Sequence, residues 1–530
     1  MGLLLLAIGA GWQPAPPPVQ APQPSGSPDS KTPQPEDVGA TKIQVPAPAE
    51  LKKAEGLIRE VLSAEFAAAK TPAQKQALAA RLIALALETE DDPAARFMLG
   101  MLARDLAAEA GDLTAAWEAI QVLEKHFLVE GPKLKAELFE RLLKETRAAG
   151  PSEATLTFVE GALVAAREAA LSGKTECVSR LISAVQTISK RIEVAPIRQE
   201  ISQHIKAIET LAASWKRFLE AKNRLELAAA ESQAHTTVGL WLCLIQGDWP
   251  IGLKHLSASD QPSLAALAAQ ELKYEQLGGD PLPLAEGWFQ EVERLEFPFR
   301  QAALLRARAH FESAGAADPE LLKRWQPRLD LALQAELALY PFQYGVVTQG
   351  NVASLEAGVQ VVGRGAMPGL VDGVIPPIVG AQGMAVAPWP CEWTVVLRET
   401  YRLREIRLKL PDPGKFVQFF VLSTSPDGRN FFVLADHSKV PSAGWQRFIF
   451  LARPVKAIRI QGISHTGDQN FYVSELEAYC TAPAPWVIRG TATSPQLLRP
   501  RRGPRPGLPV RGNEAPASRV SPPSAPVNPN

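Results

Sequence analysis

Three consecutive stretches decide how the C-terminal third of the chain is read: Glu392-Trp-Thr-Val-Val-Leu397, Tyr401-Arg-Leu-Arg-Glu-Ile-Arg-Leu408 and Val421-Leu-Ser-Thr-Ser-Pro-Asp-Gly428. In each, polar and apolar residues alternate, and β-branched or aromatic side chains supply the apolar half. That is the period of a half-buried strand. Asp427-Gly428 provides a tight turn, the glycine taking the positive φ that other residues avoid. Working outward, further strands are expected at Val359–Val362, Phe416–Ser423, Phe431–Asp436, Arg447–Leu451, Ala457–Gln461 and Tyr472–Tyr479. Short strands separated by Gly, Pro, Asp and Asn predict an antiparallel β-sandwich over residues 341–482. Trp393 and Trp445 are expected in its core.

The ordered set from Leu370-Val-Asp-Gly373 to Ser474-Glu-Leu-Glu-Ala478, with Gly444-Trp-Gln-Arg-Phe448 and Val455-Lys-Ala-Ile-Arg-Ile460 between them, resembles the discoidin (F5/8 type C) family. The resemblance implies a galactose-binding-like jelly roll that recognises carbohydrate, anionic lipid or protein through loops at one end. It implies that Arg459 is a structural ion-pair partner beneath those loops. It also implies a structural Ca²⁺ held by Asp372 and Glu475, although Val374, Ile375 and Pro376 stand where relatives usually carry Asp or Asn and Thr.

A sugar site pairs an aromatic face with hydrogen-bonding side chains. Among the expected loops, Trp389 supplies the ring, and Arg364, His465, Asp468 and Asn470 supply the polar groups. The loops lack the clustered apolar tips and basic residues that a lipid surface requires. Cys391 and Cys480 lie in the same domain and are a candidate disulfide. Cys177 and Cys243 fall on helical apolar stripes and read as buried thiols.

Upstream, residues 50–340 change texture to Ala, Leu, Glu, Lys and Arg with apolar residues three and four apart, the pattern of amphipathic helices. Thr71-Pro72 and Asp92-Pro93 are caps followed by proline at the first helical position. Gly111-Asp112 and Gly247-Asp248 each combine a helix stop with the next cap, and Gly279-Asp280 repeats the signal. Gly131-Pro132 reads as the end of a helix. Residues 93–128 are one hairpin of tetratricopeptide-like length, so the region is expected to be an α-helical hairpin array. Two long antiparallel helices are expected between residues 152 and 231, the second carrying Ile197, Ile201, Ile205, Ile208 and Leu211. The segment 236–276, with Thr237-Val-Gly-Leu-Trp-Leu-Cys-Leu-Ile-Gln-Gly-Asp-Trp249, resembles a segment of large exported proteins of planctomycete-type bacteria.

At the ends, Leu3–Ala10 reads as the apolar part of a secretory signal within residues 1–15. Residues 16–49 read as a Pro-rich linker, and 483–530 as a basic, Pro-rich disordered tail. The 530-residue chain balances 56 Lys and Arg against 56 Asp and Glu, which argues against a basic nucleic-acid binder. Its four cysteines argue against a disulfide scaffold. Its seven histidines form no zinc motif by spacing, and no nucleophile or phosphate-loop motif is present.

The expectation is therefore an exported, non-catalytic protein without a cofactor. A helical scaffold, open to a protein partner, carries a module that recognises carbohydrate or a cell-envelope component. The alternatives are a helical adaptor with the sandwich as a structural domain, and a carbohydrate-active enzyme with the sandwich as accessory.

Overall fold

The computed structural model describes residues 42–145, 152–315, 320, 323–330, 332, 342, 345–365, 368–375, 383–412, 414 and 416–486. The expected signal, most of the expected linker and nearly all of the expected tail lie outside them.

The helical part runs α1 (Pro48–Val61), α2 (Ser63–Ala68), α3 (Pro72–Glu88), α4 (Pro93–Glu109), α5 (Leu113–His126), α6 (Gly131–Glu145), α7 (Glu153–Leu171) and α8 (Thr175–Ser189). It continues through α9 (Ala195–Leu227), α10 (Ser232–Leu240), α11 (Trp249–Ser257), α12 (Pro262–Leu277), α13 (Leu282–Glu291) and α14 (Phe299–Gly315). The cap residues act as the sequence predicts. Thr71, Asp92, Asp112 and Asp248 each accept a backbone N–H from the first turn of the helix that follows. Gly111 and Gly247 adopt φ of 72° and 70°, so each hairpin turns without strain.

Three expectations change here, and that of the second long helix holds. Gly131 opens α6 instead of closing α5, which ends at His126. The first of the two long helices is itself a hairpin, α7 and α8, broken at Gly173 with φ 70°. The second is the continuous 33-residue α9, whose Ile197, Ile201, Ile205, Ile208 and Leu211 are buried within the chain. The end of the expected linker is docked: Ile43 donates its N–H to His126 O and accepts from Leu128 N.

The sandwich comprises β1 (Gln360–Gly363), β2 (Ala385–Pro388), β3 (Cys391–Lys409), β4 (Gln418–Ser425), β5 (Phe432–Ser442), β6 (Trp445–His465), β7 (Asn470–Val473) and β8 (Glu475–Cys480). The pairings among these eight strands are antiparallel, in the order β1-β3-β6-β4-β5 with β8 also on β3, while β2 pairs β7. Two pairs of expected strands fuse into the long β3 and β6, because the polar breaks between them are absorbed by irregularities at Val396/Tyr401 and Leu403/Glu405. The final expected strand divides at Ser474, whose N–H turns to Lys409 O. Trp393 is fully buried among Phe471, Val395 and Ile460. Trp445 is not a core residue. It is 44% exposed at the start of β6, opposite Lys409.

Helices and sandwich share a buried interface that the sequence did not announce. Glu160 of α7 accepts Arg402 Nη2 at 2.7 Å, Arg404 Nη2 at 3.2 Å and the Ala452 N–H at 2.8 Å, all out of water. Arg453 of β6 reaches Glu200 of α9 at 2.8 Å. Leu451 of β6 and Phe342 belong to the helical core. After β8, Thr481 Oγ1 and Ala482 N donate to Glu153. Trp486, expected to begin a disordered tail, is only 6% exposed, its ring 5.2 Å from Trp117. A Cβ on Gly161 would sit 2.9 Å from that ring, so glycine there makes room for the indole.

Candidate ligand-binding site

The candidate loops converge where β2 and β7 pair, Pro388 standing opposite Asn470. The next residue, Trp389, precedes a cis peptide to Pro390. Its backbone N–H donates to Gln469 O, and its indole Nε1–H donates to Asp468 O, each at 2.9 Å. The half-buried ring is thereby pinned to the loop after β6. Asp468 organises that loop in turn. Its carboxylate accepts the Asn470 N–H at 2.7 Å and the Tyr472 hydroxyl at 2.8 Å. Although partial burial opposes ionisation, these bonds hold the Asp468 carboxyl below its usual range; burial and the same contact push the Tyr472 phenol up. Gln418 clamps Tyr472 from beneath, accepting its N–H at 2.7 Å and donating to its C=O at 2.8 Å.

His465 holds the turn together. Its Nδ1 accepts the N–H groups of Gly467 and Asp468, both at 3.1 Å. Accepting two amides commits that nitrogen to its unprotonated form. The side chain is 6% exposed and lies between the Phe416 ring, tilted at 46°, and the Tyr472 ring, met edge-on. His465 is therefore a support for the loop, and the expected direct contact with ligand is corrected to that role. Arg364 lies exposed beside the same end. Its carbonyl accepts the buried Trp393 Nε1–H at 2.9 Å, and Gly365 lies directly against Val386 and Ala387 of β2. The structure thus gathers Trp389, Asp468 and Asn470 tightly and places Arg364 alongside. Sequence reasoning overlooked Phe416, 52% exposed beside His465, and the buried Gln418, because both were read only as strand residues. Arg459 pairs with Glu392 at 3.2 Å and covers the Phe431 ring, the expected structural role.

Asp372 and Glu475 are brought together at the start of β8. The Gly373 N–H donates to Glu475 Oε2 at 2.8 Å, and Asp372 Oδ1 accepts the Val374 N–H. Among the described residues, Glu475 Oε1 is buried without a partner. Burial, aided by the neighbouring Asp372 charge, pushes the Glu475 carboxyl up to about 8. Ca²⁺ takes six to eight oxygens. Here each carboxylate already accepts a backbone N–H, and the described residues hold no group of three His, Cys, Asp or Glu suited to a metal. These residues fit a retained proton better than calcium.

Cys391 and Cys480 are free thiols. Cys391 pairs with Gly462, whereas Cys480 pairs with Leu403, which faces Arg453. Nine residues of β6 separate those partners, on the order of 20–30 Å. No disulfide bridges such a gap. Cys177 and Cys243 are buried thiols as expected.

No protein-family model matches the chain. A curated relative, the BTB/POZ domain-containing protein 9 of Drosophila melanogaster, is 31% identical over 86 residues. That match takes in 16% of this chain and 12% of the relative's length. Among solved structures, a CBM32 module of Clostridium perfringens in complex with GalNAc-β-1,3-galactose is 13% identical, with a TM-score of 0.21, covering 25% of this chain and all of that one. A mutant of the lectin binding domain of Lectinolysin complexed with Lewis b is 17% identical, with a TM-score of 0.22, covering 26% of this chain and 100% of that one. The fold assignment rests on the strand register given above. No described helix is long and apolar enough to cross a membrane.

Proposed function

We propose that the chain is an exported, non-catalytic carbohydrate-binding protein whose sugar site is the β2–β7 end of the sandwich. One observation carries the reading. An indole, fixed by its own Nε1–H bond and by the backbone bond of the same residue, stands beside a carboxylate and an amide on loops already ordered by Asp468, His465 and Gln418. Binding by a pre-organised aromatic and polar surface costs little ordering entropy. In this account Trp389 stacks on the apolar face of a sugar ring, while Asp468, Asn470 and Arg364 bind hydroxyls. Export is inferred from the apolar run Leu3–Ala10.

The test is a glycan-array screen of the full chain. The isolated sandwich is unsuitable, since it would uncover Arg402, Arg404 and Leu451 and strand Trp486. Saccharide hits are expected, and a blank array from folded protein would overturn the reading. A second reading, a helical adaptor with the sandwich as a structural domain, is favoured by the buried interface through Glu160. Binding of a protein partner by the full chain, together with a blank array, would select it.

A further inference from the structure

Phe416 stands just ahead of β4 and is 52% exposed. Its neighbour fastens this part of the chain to the turn after β6. The Val417 N–H donates to Thr466 Oγ1 at 2.9 Å, and the Thr466 N–H donates to Val417 O at 3.1 Å. The Phe416 ring lies 5.7 Å from that of His465, centroid to centroid. A Cβ on Gly467 would come within 2.7 Å of the Phe416 ring, so glycine there lets the ring lie against the turn. The next residue, Asp468, holds the Trp389 indole through its carbonyl. Two aromatic rings thus abut consecutive residues of one turn, and the backbone at each is tied to that turn.

We infer that the site takes a saccharide of at least two sugar residues, with Trp389 under one and Phe416 under another. This rests on the sugar reading above and adds the length of ligand that the site selects. The contacts from Phe416 toward Trp389 pass through the His465 ring, the Tyr472 ring and Asp468. A pyranose ring is no wider than a phenyl ring, so one sugar covers one of these platforms and leaves the other in water. A second linked sugar covers the other. Because the turn already holds both platforms, that added apolar burial comes with little further ordering of the protein. Asp468 and Asn470 serve the sugar on Trp389, and the contact at Phe416 is stacking.

The test is calorimetric titration of the full chain with cellulose-, chitin- and galactan-derived oligosaccharides, each series running from the monosaccharide to the tetrasaccharide. In any series that binds, the longer members are expected to bind about three- to tenfold more tightly than the monosaccharide, the worth of one aromatic contact. Phe416→Ala should bring that ratio close to one. So should Phe416→Leu, which keeps apolar cover over His465 without an aromatic face. Circular dichroism checks that both variants remain folded. A wild-type ratio near one, or an unchanged ratio in folded Phe416→Leu, would overturn the inference and leave the sugar site standing. If neither these probes nor the glycan array binds, the sugar reading falls and this inference with it.

Discussion

Single side chains set the behaviour of the sandwich's loop end, and Glu475 gives the sharpest test among them. Its folded carboxyl keeps a proton up to about 8, whereas an unfolded glutamate loses it near about 4.3. Between those values the folded state binds more protons, so stability is fully present at lower pH and is lost as pH rises through about 8. The Tm is expected to fall by several degrees between about pH 5 and 8.5. In Glu475→Gln that slope should flatten, and CaCl₂ at pH 8.5 should leave the wild-type Tm unchanged. A calcium-dependent rise lost in Asp372→Ala would instead assign the pair to a cation. For His465, replacement by alanine strands two turn amides and should cost about 1–3 kcal/mol in denaturant unfolding. These residues were named from the sequence, but their roles were not legible there. Whether a histidine meets ligand or holds a turn depends on which backbone N–H groups its ring nitrogen meets, and that follows from loop closure.

Elements, by contrast, were mostly legible. Period, caps and Gly-Asp turns located the helices because each signal acts within a few residues of chain. Most strands also appeared at nearly the expected places, although β2, Ala385–Pro388, was not among those expected. Their fusion into β3 and β6 did not, since continuity through a bulge depends on the partner strand. The interface was invisible for a related reason. Glu160 looks like any charged helix residue until α7 meets β3 and β6. One carboxylate there serves two buried guanidinium groups and an amide, while Nε and Nη1 of both arginines have no partner among the described residues. Removing the charge is expected to be costly. Glu160→Gln should destabilise the chain by about 3–5 kcal/mol, measured by urea unfolding. Trp486→Ala removes a packed indole and should cost a similar amount, about 3–5 kcal/mol, with earlier proteolysis after β8. Wild-type stability in either variant would mean that the contact is dispensable.

In the whole molecule, the sandwich is fastened to the helices through Glu160, Glu200, Glu153 and Trp486, at the bend of its long strands. The pinned Trp389 loop lies toward the other end of β6, nine residues of strand from Arg453 to Gly462. The helical array thus presents the candidate site without lining it. Damage to the fastening and damage to the site should therefore separate. The most direct measurement is calorimetric titration of the strongest glycan-array hit into the full chain, Trp389→Ala and Glu160→Gln. The account predicts that Trp389→Ala loses binding by about tenfold or more, one or two stacking and hydrogen-bond contacts' worth. It predicts that Glu160→Gln, below its unfolding transition, binds as the wild type does. Undiminished binding by folded Trp389→Ala would contradict it.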